Sequence, residues 1–474
     1  MTDVYSPEVQ LILLKNVVND NGLSSRYKGG ENRIDLTDFL GENGHVHTNK
    51  GILGAAVGSF SIVLTFKAKD TQDSIYTSIS PMDMIDIRMA RSPHEYAGNL
   101  PIIMRGFVTS IQRSEIMSDD GRPYRTVNVS GYDIGKVLHD YKVFMMRFSV
   151  AGINLSGTTA FLQKTGLEDS SVPVGFYMLT LLDKIINPYL AQMFKLRSRS
   201  DGETPLMIGS TITDMPGNVF VQGIPNGDFT IWDIMLRYSD QAWNELFVED
   251  QEERPTLIFR KKPYKDYETG KFILGSSTES VSIEAAEIQS ITAERSDRNV
   301  ANIFWVDSSM FYGMKSVDLR ADVLSNNDGT VLHEGYPNNN PKLYADRYLS
   351  AQSNLSTYGH GFRNLPEDDF LEAEVSLADW SKKRRLELRD LNKDNSVFEN
   401  GSLVIRGNER VRAGKYLSVN RGELVSDYYV NTVSHHFIPF RSYKTTVEYS
   451  RGTNFRDRSR LGQSPYYGEY GENL

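Results

Sequence analysis

The chain has 474 residues, more than one hydrophobic core ordinarily organises, so roughly two to four domains are expected. Its 39% hydrophobic and 11% aromatic content suffices for packed cores, and 25 Tyr with 22 Phe favour strands and contact surfaces. A net charge of −9 argues against a protein that coats DNA, and the lack of cysteine excludes disulfide frameworks, thiolate zinc sites and cysteine nucleophiles.

Met1–Gln10 is polar and does not have the form of a signal peptide. Val9–Val18 is predicted as the opening strand. Phe60–Phe66 alternates apolar and polar residues, the pattern of a half-buried strand. Ile102–Met117 is long enough for a bent strand; Asp119-Asp120-Gly121 turns the chain, which returns as Tyr124–Gly131. Asp133 is placed to cap a short helix running to Leu138. Residues 1–140 therefore form a first β-domain. Val143–Ile153 is apolar, but Arg147 interrupts it, and a membrane span needs about 20 apolar residues.

Residues 141–285 mix helix and strand. Tyr177, Met178, Leu181, Leu182, Ile185 and Ile186 recur at helical spacing, and Pro188 is expected to kink or end that helix. Asp228 is expected to cap a second helix bearing Ile231, Met235 and Tyr238. Glu245–Glu249 and Thr256–Arg260 make a hairpin about an acidic turn.

Residues 286–452 form a second β-domain. Gln289–Arg295 and Val300–Val306 read as strands, and residues 307–395 interrupt the domain with a polar loop and a charged helix at Leu377–Leu391. Strands resume at Leu403–Arg406, Tyr416–Val419, Tyr428–Phe437 and Tyr443–Tyr449. The tail, residues 453–474, is rich in Gly, Arg and Tyr and has no periodicity, so its order would depend on a partner.

The two β-domains repeat one another. Met84–Ile87 resembles Tyr416–Val419, Phe107–Ile111 resembles Tyr429–Val433, and Thr126–Ser130 resembles Thr446–Ser450. A chain carrying one module twice presents the same docking surface twice, and three such chains would present it six times.

No motif for catalysis stands out, and the sequence implies no cofactor. His45 and His47 would share a strand face as metal ligands can, but a third ligand is missing and the neighbouring residues read as a polar loop. His435 and His436 would point to opposite faces of a strand. Asp83 with Asp86, or Glu367, Asp368 and Asp369, could supply paired carboxylates for glycoside hydrolysis, though no sugar-binding aromatics accompany them in register. Neither a phosphate-binding P-loop nor a Gly-x-Ser-x-Gly elbow is present. Lys382, Lys383, Arg384 and Arg385 are the sharpest basic cluster. They spread around a helix whose other positions include Leu386, Leu388 and Leu391, with Glu387 and Asp390 as local partners. The functional reading of all four is contact with an acidic surface on a neighbouring subunit.

In combination, three stretches resemble the central baseplate hub proteins of contractile-tailed bacteriophages. Gly106–Ile111 followed by Thr126–Gly135 resembles that family's first barrel and its exit into a helix. Ile291–Asp297 running into Val300-Ala301-Asn302 resembles the start of the second barrel, and Leu403–Gly407, Tyr428–Val430 and Tyr443–Val447 resemble its close. The likeness spans about residues 100 to 450 and is weak before residue 60; the insertion 307–395 has no counterpart in it. No lysin-type repeat or lysozyme-like segment is recognisable, so any wall hydrolysis would belong to a partner.

The resemblance implies a mainly β chain: two similar β-barrel domains separated by a mixed α/β middle domain, the second barrel interrupted by the insertion. It implies a homotrimeric ring in the virion's tail baseplate, assembled in the host cytoplasm. Its partners would be the tail tube or a tube-initiator protein, a central spike protein and other baseplate proteins. DNA would pass through the channel without sequence-specific binding, past a neutral or acidic wall. Alternating barrels would let three chains meet a sixfold tube on one face and a threefold spike on the other. The competing expectations are a tail-associated carbohydrate hydrolase and a receptor-binding adhesin.

Overall fold

Residue alternation sets the strands. In Ser59–Thr65, Phe60, Ile62 and Leu64 are buried while Ser59, Ser61 and Val63 are partly exposed, as the two-residue pleat requires. The computed structural model describes residues 6–15, 33–52, 57–65, 71–117, 121, 123–150, 153–167, 171–193, 195–197, 203–213, 217–220, 228–296, 299–301, 303–308, 348–355, 367–422 and 424–453. The expected polar loop of the insertion and residues 454–474 of the tail lie outside them.

The protein is mainly β, built on one large sheet of thirteen strands among the described residues. Seven come from the first part of the chain: β1 (Glu8–Leu14), β2 (Arg33–Asp35), β3 (His45–Gly51), β4 (Ser59–Thr65), β5 (Met84–Ala90), β6 (Ile102–Met117) and β7 (Pro123–Asp133). Six come from the last: β8 (Ser280–Glu284), β9 (Ile288–Glu294), β10 (Glu399–Arg406), β11 (Tyr416–Arg421), β12 (Leu424–Ile438) and β13 (Ser442–Gly452).

The order of neighbours repeats. In the first set it is β1-β5-β6-β7-β4-β3, with β2 beyond β1; in the second it is β8-β11-β12-β13-β10-β9. Only the outermost pairing changes sense, because β1 runs antiparallel to β5 whereas β8 runs parallel to β11. Registers repeat as well. Met84 faces Phe107 as Tyr416 faces Tyr429, and both long strands carry a bulge at the matching place, between Val108 and Ser110 and between Val430 and Thr432.

The bulges correct one sequence match. Gly131 faces Val108 as Tyr449 faces Val430, so Thr126 corresponds to Lys444 rather than Thr446. Alternation does not reveal a two-residue slip, because it returns each side chain to the same face. A further exchange marks the same pair of ladders. Phe60 lies opposite Gly131, where a Cβ would stand 2.5 Å from its ring; in the second set the glycine and the aromatic have changed strands, as Gly401 opposite Tyr449. Each pair thus sets one large ring over a residue that leaves it room.

Between the two sets, helices pack Tyr177, Met178, Leu181, Ile185, Trp232 and Met235 into one core with the hairpin Asn244–Asp250 and Pro255–Lys261. One local expectation is narrowed and another corrected. Of the two outcomes expected at Pro188, the helix does not end: Val174–Leu181 runs through a π turn at Leu182–Ile186 into Asn187–Met193. The wider turn accommodates a residue that has no N–H to donate. Thr230, not Asp228, caps the next helix, Ile231–Arg237. Its Oγ1 accepts from Asp233 N at 3.1 Å and its own N–H donates back to Asp233, a capping box. Asp228 instead pairs with Lys142 at 2.8 Å.

The charged helix spans Glu367–Asn392, beginning ten residues before the expected Leu377. Its buried face includes Trp380, Arg384, Leu388 and Leu391. Arg384 is 1% exposed; its Nη2 donates to Asp240 at 2.7 Å, and its guanidinium lies 4.5 Å from the Trp243 ring centroid. Trp243 Nε1 in turn donates to Arg384 O at 2.9 Å. Burial pushes the Asp240 carboxyl up, opposed by the charge of Arg384.

Removing one member of a buried ion pair leaves its partner desolvated, at a cost of about 3–5 kcal/mol. Arg384→Ala is therefore expected to lower unfolding stability by about that amount. Lys383→Ala on the exposed face should change it by less than about 0.5 kcal/mol. Urea denaturation of the two variants checks both values.

Candidate assembly interface

The two strand sets meet along one ladder. β3 pairs antiparallel with the second half of β12, from Gly51 opposite Thr432 to Val46 opposite Phe437. β12 serves two neighbours on this side, since Leu424–Tyr429 pairs with β11 and Thr432–Phe437 with β3, the bulge lying between. Val433, His435 and Phe437 are consequently buried. On the other face, Ser434 Oγ donates to Asn49 Oδ1 at 3.0 Å.

His45 and His47, read from sequence within a polar loop, are on β3. Their ring centroids lie 5.9 and 6.0 Å from that of His436 across the ladder. Burial holds all three imidazoles below their ordinary pKa, and neighbouring cationic groups lower His47 and His436 further. His435 occupies the opposite face, as expected. It lies 3.1 Å from both Tyr443 Oη and Thr445 Oγ1, and burial pushes it down to about 3.

Charged groups stitch the same junction. Lys50 Nζ stands 2.5 Å from Asp250 and 3.2 Å from Asp133. Asp133 was expected to cap a helix; the short helix instead starts at Lys136 with Gly135 as N-cap, and Asp133 closes β7 as a buried carboxylate. Arg412 donates to Ile103 O at 2.9 Å and to Ile102 O. Glu409 accepts from Arg91 N at 2.9 Å and from the Tyr96 hydroxyl at 2.7 Å, and Arg91 pairs with Glu287 at 2.5 Å. None of these contacts was singled out from sequence, because their partners lie far apart along the chain.

Two hairpins end in exposed apolar side chains. The β6–β7 hairpin carries Ile116 and Met117, the latter 69% exposed. At the β12–β13 turn, Phe440 is 94% exposed and has a φ of 59°. A bulky residue is seldom held in that left-handed region. Phe144, Met145, Ile153 and Phe176 form a further set of exposed apolar residues in the middle segment.

The basic cluster divides. Arg384 and Arg385 are buried, at 1% and 2% exposure, so the expectation that all four residues face a neighbour is corrected for these two. Lys382 and Lys383 are exposed. The spacing carried a signal, since Trp380, Arg384, Leu388 and Leu391 recur on one helical stripe. The candidate carboxylates also separate: Asp83 pairs with Lys15 at 2.5 Å and Asp86 with Arg105 at 2.7 Å. Glu367, Asp368 and Asp369 stand in the first turn of the long helix. No group of three or more His, Asp or Glu among the described residues could hold a metal ion.

Burial pushes Asp133 up to about 6 from its usual 3.8. A carboxyl held above its unfolded value binds its proton more tightly in the folded state. Its contribution to stability is thus present below about 4 and is lost as pH rises to about 6. Asp133→Asn, which cannot ionise, should therefore gain stability relative to the parent chain over that interval. Thermal melts in a pH series measure the difference, and parallel curves would contradict it.

No protein-family model and no curated protein matches the sequence. Solved structures do align over nearly the whole chain. The 43 kDa tail protein of prophage MuSo2 from Shewanella oneidensis and a tail protein from Neisseria meningitidis MC58 each give a TM-score of 0.45 at 11% identity, over 94% of this chain and 97% of theirs. Prophage tail protein gp18 from Listeria monocytogenes EGD-e gives 0.42 at 9% identity, over 94% and 95%.

Proposed function

We propose that this chain is a structural hub of a contractile phage tail, a homotrimeric ring that adapts a sixfold tube to a threefold spike and leaves a channel for DNA. The observation carrying this reading is the repeated strand order, with its matching bulges, inside one polypeptide. Two like modules per chain turn three copies into six near-equivalent positions, so one assembly can satisfy both symmetries. In this reading each module is one of two similar barrels in the chain, and the segments between and within the modules mark the threefold face. The role is non-enzymatic, which accords with Asp83 and Asp86 being tied up in separate ion pairs.

The hairpin tips are the contacts for the tube. Ile116 with Met117 and Ile438 with Phe440 stand at matching ends of the two modules, so a ring of three would present six apolar tips. Lys382 and Lys383 are the part of the basic cluster left to meet an acidic neighbouring subunit, and the exposed apolar set in the middle segment faces the spike.

Electron microscopy of assembled tails, with this chain labelled, should show three copies around the long axis and a central hole. Two copies, six copies or a position at the particle periphery would overturn the reading; the last outcome would favour an adhesin. A second expectation concerns attachment. Met117→Ser with Phe440→Ser should reduce tube joining at least about tenfold, as expected for losing more than about 1.4 kcal/mol of apolar contact. Charge reversal at Lys382 and Lys383 should impair assembly without unfolding the monomer. Counting joined tails in each preparation, alongside circular dichroism, separates assembly from folding.

A further inference from the structure

The junction inside the chain is also a template for a junction between chains. β12 carries β3 along Thr432–Phe437. The strand matching β12 is β6, and the stretch matching Thr432–Phe437 is Ser110–Glu115, on the far side of the same bulge. There β6 pairs with β7 on one side and, among the described residues, with no strand on the other. Exposure reports the difference. Val433, His435 and Phe437 are buried beneath β3, while Arg113 and Glu115 at matching positions are exposed and Ile111 is partly so.

The strand matching β3 is β9. It pairs with β10 as β3 pairs with β4, and among the described residues it is a terminal strand of the sheet. Six of its seven residues are exposed, including Ile291 at 44%, whereas Val46, which matches Ile291, is fully buried. An uncovered edge with an outward isoleucine is a surface that invites another strand. Among the described residues the sheet thus ends in a β3-like strand at one place and has no β3-like strand at another.

We propose that β9 of one copy pairs antiparallel with Ser110–Glu115 of β6 in a second copy, extending the sheet from chain to chain; this rests on the ring reading above and names its subunit contact. The internal junction gives the register. Ser434 opposite Asn49 becomes Gln112 opposite Glu294 of the next copy, and His436 opposite His47 becomes Ser114 opposite Thr292. The side chains suit these positions. The Gln112 amide can donate to the Glu294 carboxylate, as Ser434 donates to Asn49, and Ser opposite Thr is a favourable cross-strand pair. The small Ala293 falls opposite Arg113, whose guanidinium already lies over the Tyr76 ring at 5.9 Å. The contact uses different surfaces on its two sides, so repeating it closes a ring or grows a filament and cannot make an isolated twofold dimer.

The cysteine-free chain permits a clean test. Directly opposed residues on paired strands lie within the Cα separation that a disulfide spans. Full-length chains bearing both Gln112→Cys and Glu294→Cys, oxidised alone and in assembled particles, should give denaturing-gel bands of two and three linked chains and none larger. A mixture of the two single variants should stop at two. Pairing Gln112→Cys with Ala293→Cys, whose side chains would face opposite ways, should link far less. Monomer alone under both conditions, or linkage by Gln112→Cys without its partner, overturns the proposal. Linked ladders that extend beyond three, or close at another number, support the edge pairing and overturn the ring of three. Three copies seen in particles without any linkage would do the reverse.

Discussion

The structure depends on one backbone ladder, Val46–Gly51 against Thr432–Phe437. Strand edges expose N–H and C=O groups that must be paired or hydrated, and here one half of the molecule supplies the missing strand of the other. The bulge at Val430–Thr432 makes this possible, because an extra residue sharpens local twist and bends the strand. β12 can then run beside β11 for its first half and beside β3 for its second. The segments joined are nearly four hundred residues apart, yet the entropic cost of closing a loop grows only logarithmically with its length.

Charge guards the register of that ladder. Lys50 reaches Asp133 and Asp250, both buried, and Arg412 reaches two carbonyls of β6. A one-residue slip of β3 would turn Lys50 to the opposite face and leave two desolvated carboxylates without their cation. Uncharged strands of similar shape would tolerate that slip far better. The buried charges thus contribute to specificity beyond any net stability they add, since wrong alignments leave them unpaired.

Much of this was legible in the sequence. The limits of the strand Ile102–Met117, the hairpin after it, the opposite facing of His435 and His436, and the correspondence of Met84 with Tyr416 and of Phe107 with Tyr429 all follow from alternation and turn residues. What escaped has identifiable causes. Threonine and aspartate both cap helices, so Thr230 and Asp228 were exchangeable until a reciprocal bond to Asp233 distinguished them. Pro188 marks a disturbance without saying whether the helix ends or widens. Arg384 reads as a partner-facing charge when its charge is set ahead of its place on an apolar stripe. The Lys50 cluster depends on residues from three distant segments, a proximity that no local window contains.

Comparison of the two modules shows why the repeat stayed faint in sequence while its geometry persisted. Ladder hydrogen bonds belong to the backbone and constrain side chains only through size and facing. Asp86 pairs with Arg105 in the first module. At the matching positions of the second, Ser418 donates to Asp427, and Lys265 from outside the repeat supplies the cation at 2.9 Å. The charge at one position has reversed, yet each carboxylate still has its counterion. Phe60 over Gly131 has likewise become Tyr449 beside Gly401, exchanging the strands that supply ring and gap. Each change preserves a local sum of charge or volume while altering the letters. A duplicated sheet can therefore diverge almost everywhere in residue identity, provided that bulge, register and facing are kept, and those are the features by which the two halves still match.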